Sequence, residues 1–175
     1  GSLPKVIERL DPLPTQLYVS VDAPNKEIFD RLCKPKFDQG AFHKLEETLE
    51  LLPSLDTRTV CRHTLIKHES LGFHDDYARL DNLADPDFIE AKGYVNVGNS
   101  RNNLSVENMP THQEVIEFSE KLAPLVGRSL LSDRRESRVA LIGKEMIPVE
   151  LPIATMELPK NLGIAKPQRF VLPQV

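Results

Sequence analysis

The chain has 175 residues, of which 40% are hydrophobic and 27% charged, and its formal net charge is -4 at pH 7. This length suits one domain with a sizeable core, and the negative charge excludes a global attraction to polyphosphates, so any contact with nucleic acid must come from a local basic patch. The sequence has no apolar run of about 18 residues and no basic-then-apolar leader. It therefore predicts neither a membrane span nor a signal peptide, and a cytoplasmic location is expected.

Strands and helices alternate along the first four-fifths of the chain. In chain order, the patterns predict a short helix before Asp11-Pro12, a strand at 15–22, a helix that is capped by Asn25 and ends near Leu32, a helix at 40–52, a strand at 57–67, a helix at 75–84, a strand at 87–97, a helix beginning at Thr111 or His112, and a strand at 137–143. Such alternation predicts an α/β fold with a mostly parallel sheet over residues 1–143. Prolines recur from Pro148 to Pro173 and predict an irregular tail at 144–175.

Ser20 and Asp22 lie where the first long strand ends. Ligands of parallel α/β proteins bind beyond the carboxyl ends of the strands, and a carboxylate with a hydroxyl two residues before it suits a ribose or another polyol. The alternative is that Asp22 only helps to turn the chain into the next helix, as Asp often does. The pattern alone favours this second interpretation.

Cationic side chains line the second long strand. Because side chains alternate along a strand, Arg58 and Arg62 are expected on one face, and His63 and Lys67 on the other. Charged groups are rarely buried without a partner. The inward cations therefore indicate either an anionic ligand or an internal ion pair between Arg62 and Glu90, and the sequence does not decide between the two.

The loop after the third strand is unusually polar. Ser100, Arg101 and Asn102 could contact phosphates or bases, although the same composition is common in solvent-exposed loops. His112 could act in a site or could be structural near a helix N-terminus. The mixed-sign run at 132–138 predicts a solvated turn.

Cys33 and Cys61 lie far apart in the sequence. Neither belongs to a C-x-x-C pair or has a histidine at metal-ligand spacing, so this chain alone is not expected to build a zinc or iron-sulfur site. Both are predicted to be buried thiols.

Several blocks resemble one known family. The blocks "LPTQLYVSVDAP", "TRTVCRHTLIK", "PDFIEAKGY" and "VGNSRNNLSVENMPTHQEV", in that order and at those separations, resemble the radical SAM 4-demethylwyosine synthases of wybutosine biosynthesis, and "ESRVALI" is similar to the archaeal type. The resemblance implies a partial (β/α)6 barrel with a [4Fe-4S] cluster and S-adenosylmethionine. It also implies cleavage of S-adenosylmethionine to a 5'-deoxyadenosyl radical, and the joining of two pyruvate carbons to N1-methylguanosine in tRNA-Phe.

The resemblance also implies roles for particular residues. It implies cofactor binding by Ser20, Asp22, Arg62, Thr64 and Glu90, catalysis by Lys67 and Lys92, and tRNA or substrate contacts by Ser100, Arg101, Asn102 and His112. The chain departs from the family at His63, where leucine is usual, and at Ser70, where asparagine is common.

The cluster motif Cys-x3-Cys-x2-Cys of that family is absent from this sequence. The chain is therefore expected to be the C-terminal half of such an enzyme, inactive alone. Half a barrel is expected to expose the strand at 15–22 as an edge that pairs with an N-terminal half or with a second copy. The alternatives are a non-catalytic half-barrel that binds tRNA or protein, and a small α/β enzyme that uses Lys67 or Lys92 as a base or imine former.

Overall fold

The structure, a computed structural model, describes residues 4–35 and 40–146. Its helices are α1 (Pro4–Ile7), α2 (Lys26–Cys33), α3 (Ala41–Leu51), α4 (His74–Ala84) and α5 (His112–Leu125), and its strands are β1 (Gln16–Ser20), β2 (Arg58–Leu65), β3 (Phe88–Gly93), β4 (Ser129–Arg134) and β5 (Val139–Gly143). None of the described helices is both long and apolar enough to cross a bilayer. The predicted tail at 144–175 lies outside the described residues from residue 147 onward.

The five strands form one sheet in the order β1-β2-β3-β5-β4. Strands β1, β2 and β3 are parallel, and Ser20, Arg62 and Glu90 lie side by side in register. Strand β5 runs antiparallel to β3, and β4 antiparallel to β5. The predicted α/β class is confirmed, and β1 is an edge strand of the described sheet, as expected.

Strand β4 was not predicted. The run at 132–138, interpreted as a solvated turn, instead completes β4 up to Arg134 and continues as a 3-10 turn at Arg135–Ser137. The sequence of β4, SLLSDR, lacks regular alternation because most of its side chains are exposed and a register shift interrupts its pairing between Leu130 and Ser132. An exposed, irregular edge strand has no burial pattern to find.

Three predicted strands end earlier than expected. Strand β1 ends at Ser20 rather than at residue 22. Strand β2 ends at Leu65 rather than at residue 67, and β3 ends at Gly93 rather than at residue 97. The backbone N–H of Tyr94 still donates to the carbonyl of Leu65. After Tyr94 the chain turns, with the N–H of Val97 donating to the carbonyl of Val95, and this turn ends the ladder.

Helices α3, α4 and α5 cover one face of the sheet. Alternate strand residues point into this layer and are at most 3% exposed; they include Val19, Cys61, Ile89 and Ile142. They pack against helix residues such as Leu49, Leu80 and Leu122. A fully buried aliphatic side chain of this kind contributes about 1.5–3 kcal/mol, so the helix layer is the main source of stability.

The two cysteines differ in their surroundings. Cys61 is buried within the core, and this burial raises the pKa of its thiol. Cys33, at the end of α2, is exposed rather than buried as predicted, because α2 is short and only Ile28 on it is fully buried. Desolvation together with the nearby carboxylates of Asp22 and Asp30 raises the pKa of Cys33 to about 11.

His63 points into the helix layer and forms a buried pair with Asp81 of α4. Its Nε2 lies 2.9 Å from Oδ2 and 3.0 Å from Oδ1 of Asp81, and neither side chain is exposed. The prediction that His63 and Lys67 lie on one face of the same strand is wrong, because Lys67 lies two residues beyond the end of β2 while His63 is part of the core.

The buried pair of His63 and Asp81 predicts how substitutions at these two positions change the free energy of unfolding. The Asp81→Ala substitution should lower the free energy of unfolding by about 2–4 kcal/mol, because it leaves a buried imidazole without its partner. The double variant His63→Leu/Asp81→Leu should recover most of that loss, since no polar group is then left unpaired. Urea unfolding measures both.

The matched control is Asp75→Ala, on the exposed side of the same helix. It should change the free energy of unfolding by less than about 1 kcal/mol. If the double variant proves as unstable as Asp81→Ala, an unpaired imidazole is not the cause of the loss.

Candidate functional site at the carboxyl ends of the parallel strands

The face of the sheet opposite α3, α4 and α5, here called the open face, carries polar side chains in rows set by the strand register. The row nearest the carboxyl ends of β1–β3 contains Asp22, Thr64, Lys92, Val139 and Arg134. The next row contains Ser20, Arg62, Glu90, Leu141 and Ser132. Registered residues share a face, so all five of the predicted cofactor-binding residues lie together with Lys92.

Asp22 bonds to the neighbouring strand rather than to the helix that follows it. The Thr64 hydroxyl donates to Oδ1 of Asp22 at 2.7 Å. The cap of α2 is Asn25, whose Oδ1 accepts from the N–H of Ile28 at 3.1 Å. Among the described residues, neither Oδ2 of Asp22 nor the hydroxyl of Ser20 has a hydrogen-bond partner. Both remain available to a ligand.

Arg62 and Glu90 form the internal pair that the sequence left open. Nε of Arg62 donates to Oε1 of Glu90 at 2.7 Å, and the guanidinium lies 4.5 Å from the ring centroid of Tyr18. Their side chains are 35% and 13% exposed. The terminal guanidinium nitrogens make no hydrogen bond to any described residue, so the ion pair leaves donors for a ligand.

The two candidate lysines occupy different environments. Nζ of Lys67 lies 2.6 Å from Oε1 of Glu114, in the first turn of α5. The hydrogen bond from Lys67, helped by the backbone N–H of Thr111, lowers the pKa of Glu114 to about 2. Lys92 points onto the open face, and no described residue is its hydrogen-bond or ion-pair partner. Of the two lysines, only Lys92 lies with the residues that were predicted to bind the cofactor.

An open cleft of about 480 Å³ lies over this part of the sheet. Its lining includes Tyr18, Glu90, Lys92, Ser132, Arg134 and Leu141. Two carboxylates also line the cleft, and both are paired: Glu90 with Arg62, and Asp133 with His112. The cations Lys92 and Arg134 are unpaired among the described residues, so the cleft favours an anionic ligand.

The polar loop follows β3 and is held by its own hydrogen bonds. The Tyr94 hydroxyl donates to Ser100 at 2.8 Å, and Nε of Arg101 donates to the carbonyl of Asn96 at 3.1 Å. Arg101 and Asn102 are exposed in a 3-10 turn at Gly98–Asn102. The loop therefore presents a guanidinium and an amide beyond the carboxyl end of β3.

His112 lies on the other side of the sheet. It is the first residue of α5, behind a capping box in which Thr111 accepts from the N–H of Glu114. Its Nε2 lies 2.8 Å from Oδ1 of Asp133, which is in register with the core residue Ala140. The structure therefore does not bring His112 together with the open-face residues; it joins α5 to β4.

Several residues of the cleft were missed at the sequence level, among them Tyr18, Ser132 and Arg134. Tyr18 could have been found, because the period-2 alternation of Tyr18, Ser20 and Asp22 places all three on one face. The two β4 residues had no such signal, since their strand was not predicted.

The [4Fe-4S] cluster that the resemblance implies needs about four thiolates or close substitutes. The two cysteines of this chain lie on the exposed end of α2 and in the core. Within residues 4–35 and 40–146, no three or more His, Cys, Asp or Glu side chains are grouped to hold a metal ion. The residues present do not fit the cluster.

The fold and the candidate site define an α/β protein with a polar face at the carboxyl ends of three parallel strands. The family model for wyosine base formation matches residues 83–144. The S-adenosyl-L-methionine-dependent tRNA 4-demethylwyosine synthase of Pyrococcus horikoshii is 42% identical over 149 residues, which are 83% of this chain and 43% of that protein. The synthase of Methanocaldococcus jannaschii is 36% identical over 148 residues, which are 83% of this chain and 45% of that protein.

The solved structures that this chain resembles belong to the same family as these relatives. A structure of TYW1 with a lysine-pyruvate adduct bound superposes with a TM-score of 0.72 and 33% identity, over 82% of this chain and 45% of that one. A crystal structure of archaeal TYW1 superposes with a TM-score of 0.65 and 28% sequence identity, over 82% of this chain and 44% of that one. The chain belongs to the 4-demethylwyosine synthase family and corresponds to its C-terminal part. It spans less than half the length of the archaeal relatives it matches.

The pair of Lys67 and Glu114 predicts a pH dependence of stability. The folded pKa of about 2 lies below the ordinary value of 4.5, so the stabilisation is complete above pH 4.5 and is lost as the pH falls toward 2. Between these values, wild type should lose more unfolding free energy than Glu114→Gln. The difference should be modest, because water screens a partly exposed pair.

Urea unfolding at a series of pH values measures this difference. Glu120→Gln, an exposed site on the same helix, is the control and should follow the wild-type curve. If the curves of wild type and Glu114→Gln run parallel from pH 4.5 to pH 2, the ion pair contributes nothing to stability.

Proposed function

We propose that this chain is the C-terminal part of a tRNA-modifying radical SAM enzyme that makes 4-demethylwyosine from N1-methylguanosine in tRNA-Phe and pyruvate. The observation that carries the proposal is the open face, on which Ser20, Asp22, Arg62, Thr64, Glu90 and Lys92 converge. The names of the relatives support the reaction, and the lysine-pyruvate adduct in a structural neighbour supports pyruvate as the second substrate. A tRNA substrate also supports a cytoplasmic location.

Ser20, Asp22 and Thr64 would hold the polar part of S-adenosylmethionine. The bond from Thr64 fixes one oxygen of Asp22 and leaves Oδ2 free for a ribose hydroxyl or an amino group. The terminal nitrogens of Arg62, whose orientation is set by Glu90, would reach a carboxylate. When bound to a reduced cluster, S-adenosylmethionine supplies the radical that starts the reaction. The ligands of that cluster would belong to another segment, since the residues present in this chain do not fit it.

A segment bearing Cys-x3-Cys-x2-Cys would complete the site beside β1. In the described sheet, β1 pairs on one side only, with β2, so its other edge offers free backbone N–H and C=O groups. The site residues Ser20 and Asp22 lie on or next to this edge strand. The chain alone is therefore proposed to be inactive, and its partner is either an N-terminal half or a second copy that pairs through β1.

Lys92 is the better candidate for the lysine that meets pyruvate. An amine forms an imine when its nitrogen attacks the carbonyl carbon and the carbonyl oxygen leaves as water. The Nζ atom of Lys92 faces the cleft with no carboxylate partner among the described residues, whereas that of Lys67 is held by Glu114. Lys67 would instead fix the start of α5 relative to β2.

The loop after β3 would contact the tRNA. Ser100, Arg101 and Asn102 lie beyond the carboxyl end of β3, on the same edge of the sheet as Lys92. Arg101 suits a phosphate, and Asn102 can bond to a base edge. The contact of His112 with Asp133 supports a positioning role for this histidine rather than direct contact with RNA.

Reductive trapping distinguishes the two lysines. Incubation with pyruvate and borohydride should place a stable adduct on Lys92, because its Nζ is free to attack the carbonyl. Peptide mass spectrometry locates the adduct. The Lys92→Gln variant should lose it and the matched Lys67→Gln variant should keep it; an adduct confined to Lys67 would reverse the assignment.

Reconstitution tests the whole proposal. Co-expression with a segment that carries the cluster motif should give a complex that contains iron, cleaves S-adenosylmethionine and modifies tRNA bearing N1-methylguanosine. In that complex, Asp22→Ala should weaken S-adenosylmethionine binding about tenfold or more, equivalent to about 1.4 kcal/mol. A complex that contains the cluster but leaves the guanosine unmodified would contradict the assigned reaction.

A further inference from the structure

Arg134 and Lys92 face the same cleft from different strands. Lys92 is in register with Val139 of β5, and Val139 is in register with Arg134 of β4, so all three side chains point onto the open face. Neighbouring strands are about 4.8 Å apart, which separates the Cα atoms of Lys92 and Arg134 by about 10 Å. Both side chains are long enough to reach one small ligand between them.

None of the carboxylates near Arg134 is paired with its guanidinium group. Glu90, in the same cleft, is already paired with Arg62. Asp133, the preceding residue, also lines the cleft, but its carboxylate is paired with His112 of α5. Glu136 belongs to the next turn and is exposed. No acceptor among the described residues reaches Arg134, so the cleft presents two unneutralised cations.

We propose that Arg134 binds the carboxylate of the 2-oxo acid whose carbonyl carbon meets Lys92. This inference rests on the proposed function. In a 2-oxo acid the carboxylate is bonded directly to the carbonyl carbon, so a molecule held at Lys92 places its anionic group beside that lysine, toward β4. A guanidinium binds a carboxylate through two parallel hydrogen bonds. Ser132, on the same face of β4, lines the cleft and offers a further donor.

The assignment makes Arg134 a specificity-determining residue. A neutral ketone could still react with Lys92 but would lack the group that Arg134 binds, so the site would select 2-oxo acids. A backbone phosphate of RNA is the competing anion. The carboxylate is favoured because Arg134 shares a row of the sheet with Lys92 and lines the cleft, whereas neither Arg101 nor Arg135 lines it.

The test compares Arg134→Gln with Arg135→Gln. The two variants lose the same charge one residue apart, and only Arg134 lines the cleft. Both sites are exposed, so the core is untouched, and far-ultraviolet circular dichroism checks the fold. The probe is oxamate, a 2-oxo acid analogue whose amide carbonyl does not form an imine, titrated into the chain and followed by NMR.

Oxamate should bind wild type and Arg135→Gln with dissociation constants within about twofold, and Arg134→Gln about tenfold more weakly. Equal binding by all three proteins, or no binding to wild type, would overturn the proposal. Weaker binding of tRNA by Arg134→Gln with unchanged oxamate binding would assign the site to an RNA phosphate instead and would equally overturn it.

A second experiment compares the adducts that pyruvate and acetone form with the protein when borohydride is added. Arg134→Gln should reduce the yield of the pyruvate adduct and leave the acetone adduct unchanged. A wild-type protein that traps neither compound, yet binds oxamate through Arg134, would refute the role of Lys92 in the proposed function while supporting the anion site.

Discussion

The candidate site depends on the burial of one face of the sheet beneath α3, α4 and α5. Because side chains alternate along each strand, burying Val19, Cys61 and Ile89 in that layer forces the residues between them onto the other face. The parallel register then aligns Ser20 with Arg62 and Glu90. If the register of any strand shifted by one residue, its polar side chains would enter the core. The burial of the apolar residues therefore also fixes which side chains lie on the open face.

The pair of His63 and Asp81 links that core directly to the site. His63 stands between Arg62 and Thr64 on β2, with its side chain on the opposite face, and its Nδ1 lies 3.4 Å from the carbonyl oxygen of Val21. It thus contacts the backbone of the segment that carries Ser20 and Asp22, while Asp81 connects it to α4. This chain thus uses a polar contact to hold these elements, which requires both partners to be present.

The sequence predicted the parts of the fold that have a periodic burial pattern. Strands β1, β2, β3 and β5 and the helices through α5 follow apolar residues spaced at two or at three to four positions, and Asn25 is a local signal for the start of α2. Strand β4 was missed because its exposed side chains and register shift remove the alternation. Strand ends were overestimated because polar residues beyond Leu65 and Gly93 continue the alternation in loops.

Part of the candidate site was predictable from the sequence, but the contacts between its residues were not. Position at strand ends was sufficient to select Ser20, Asp22, Glu90 and Lys92. The choice between an ion pair and a ligand at Arg62 depended on the distance to Glu90, which sequence spacing does not contain. The distinction between Lys67 and Lys92 likewise required the position of Glu114, which lies on a helix 47 residues further along the chain than Lys67.

The two edges of the sheet differ in a way that determines which side of the site is complete. Strand β4 is protected as an edge by a register shift and by the exposed charges of Asp133 and Arg134. Strand β1 has neither device and exposes 42% of Tyr18. On the β4 side, beside Lys92, this chain therefore supplies a protected edge, whereas on the β1 side, beside Ser20 and Asp22, the edge is open to pairing. On the proposed assignments, the 2-oxo acid would therefore bind between Lys92 and Arg134 of this chain, and the cofactor would lie beside β1, where another segment can pair.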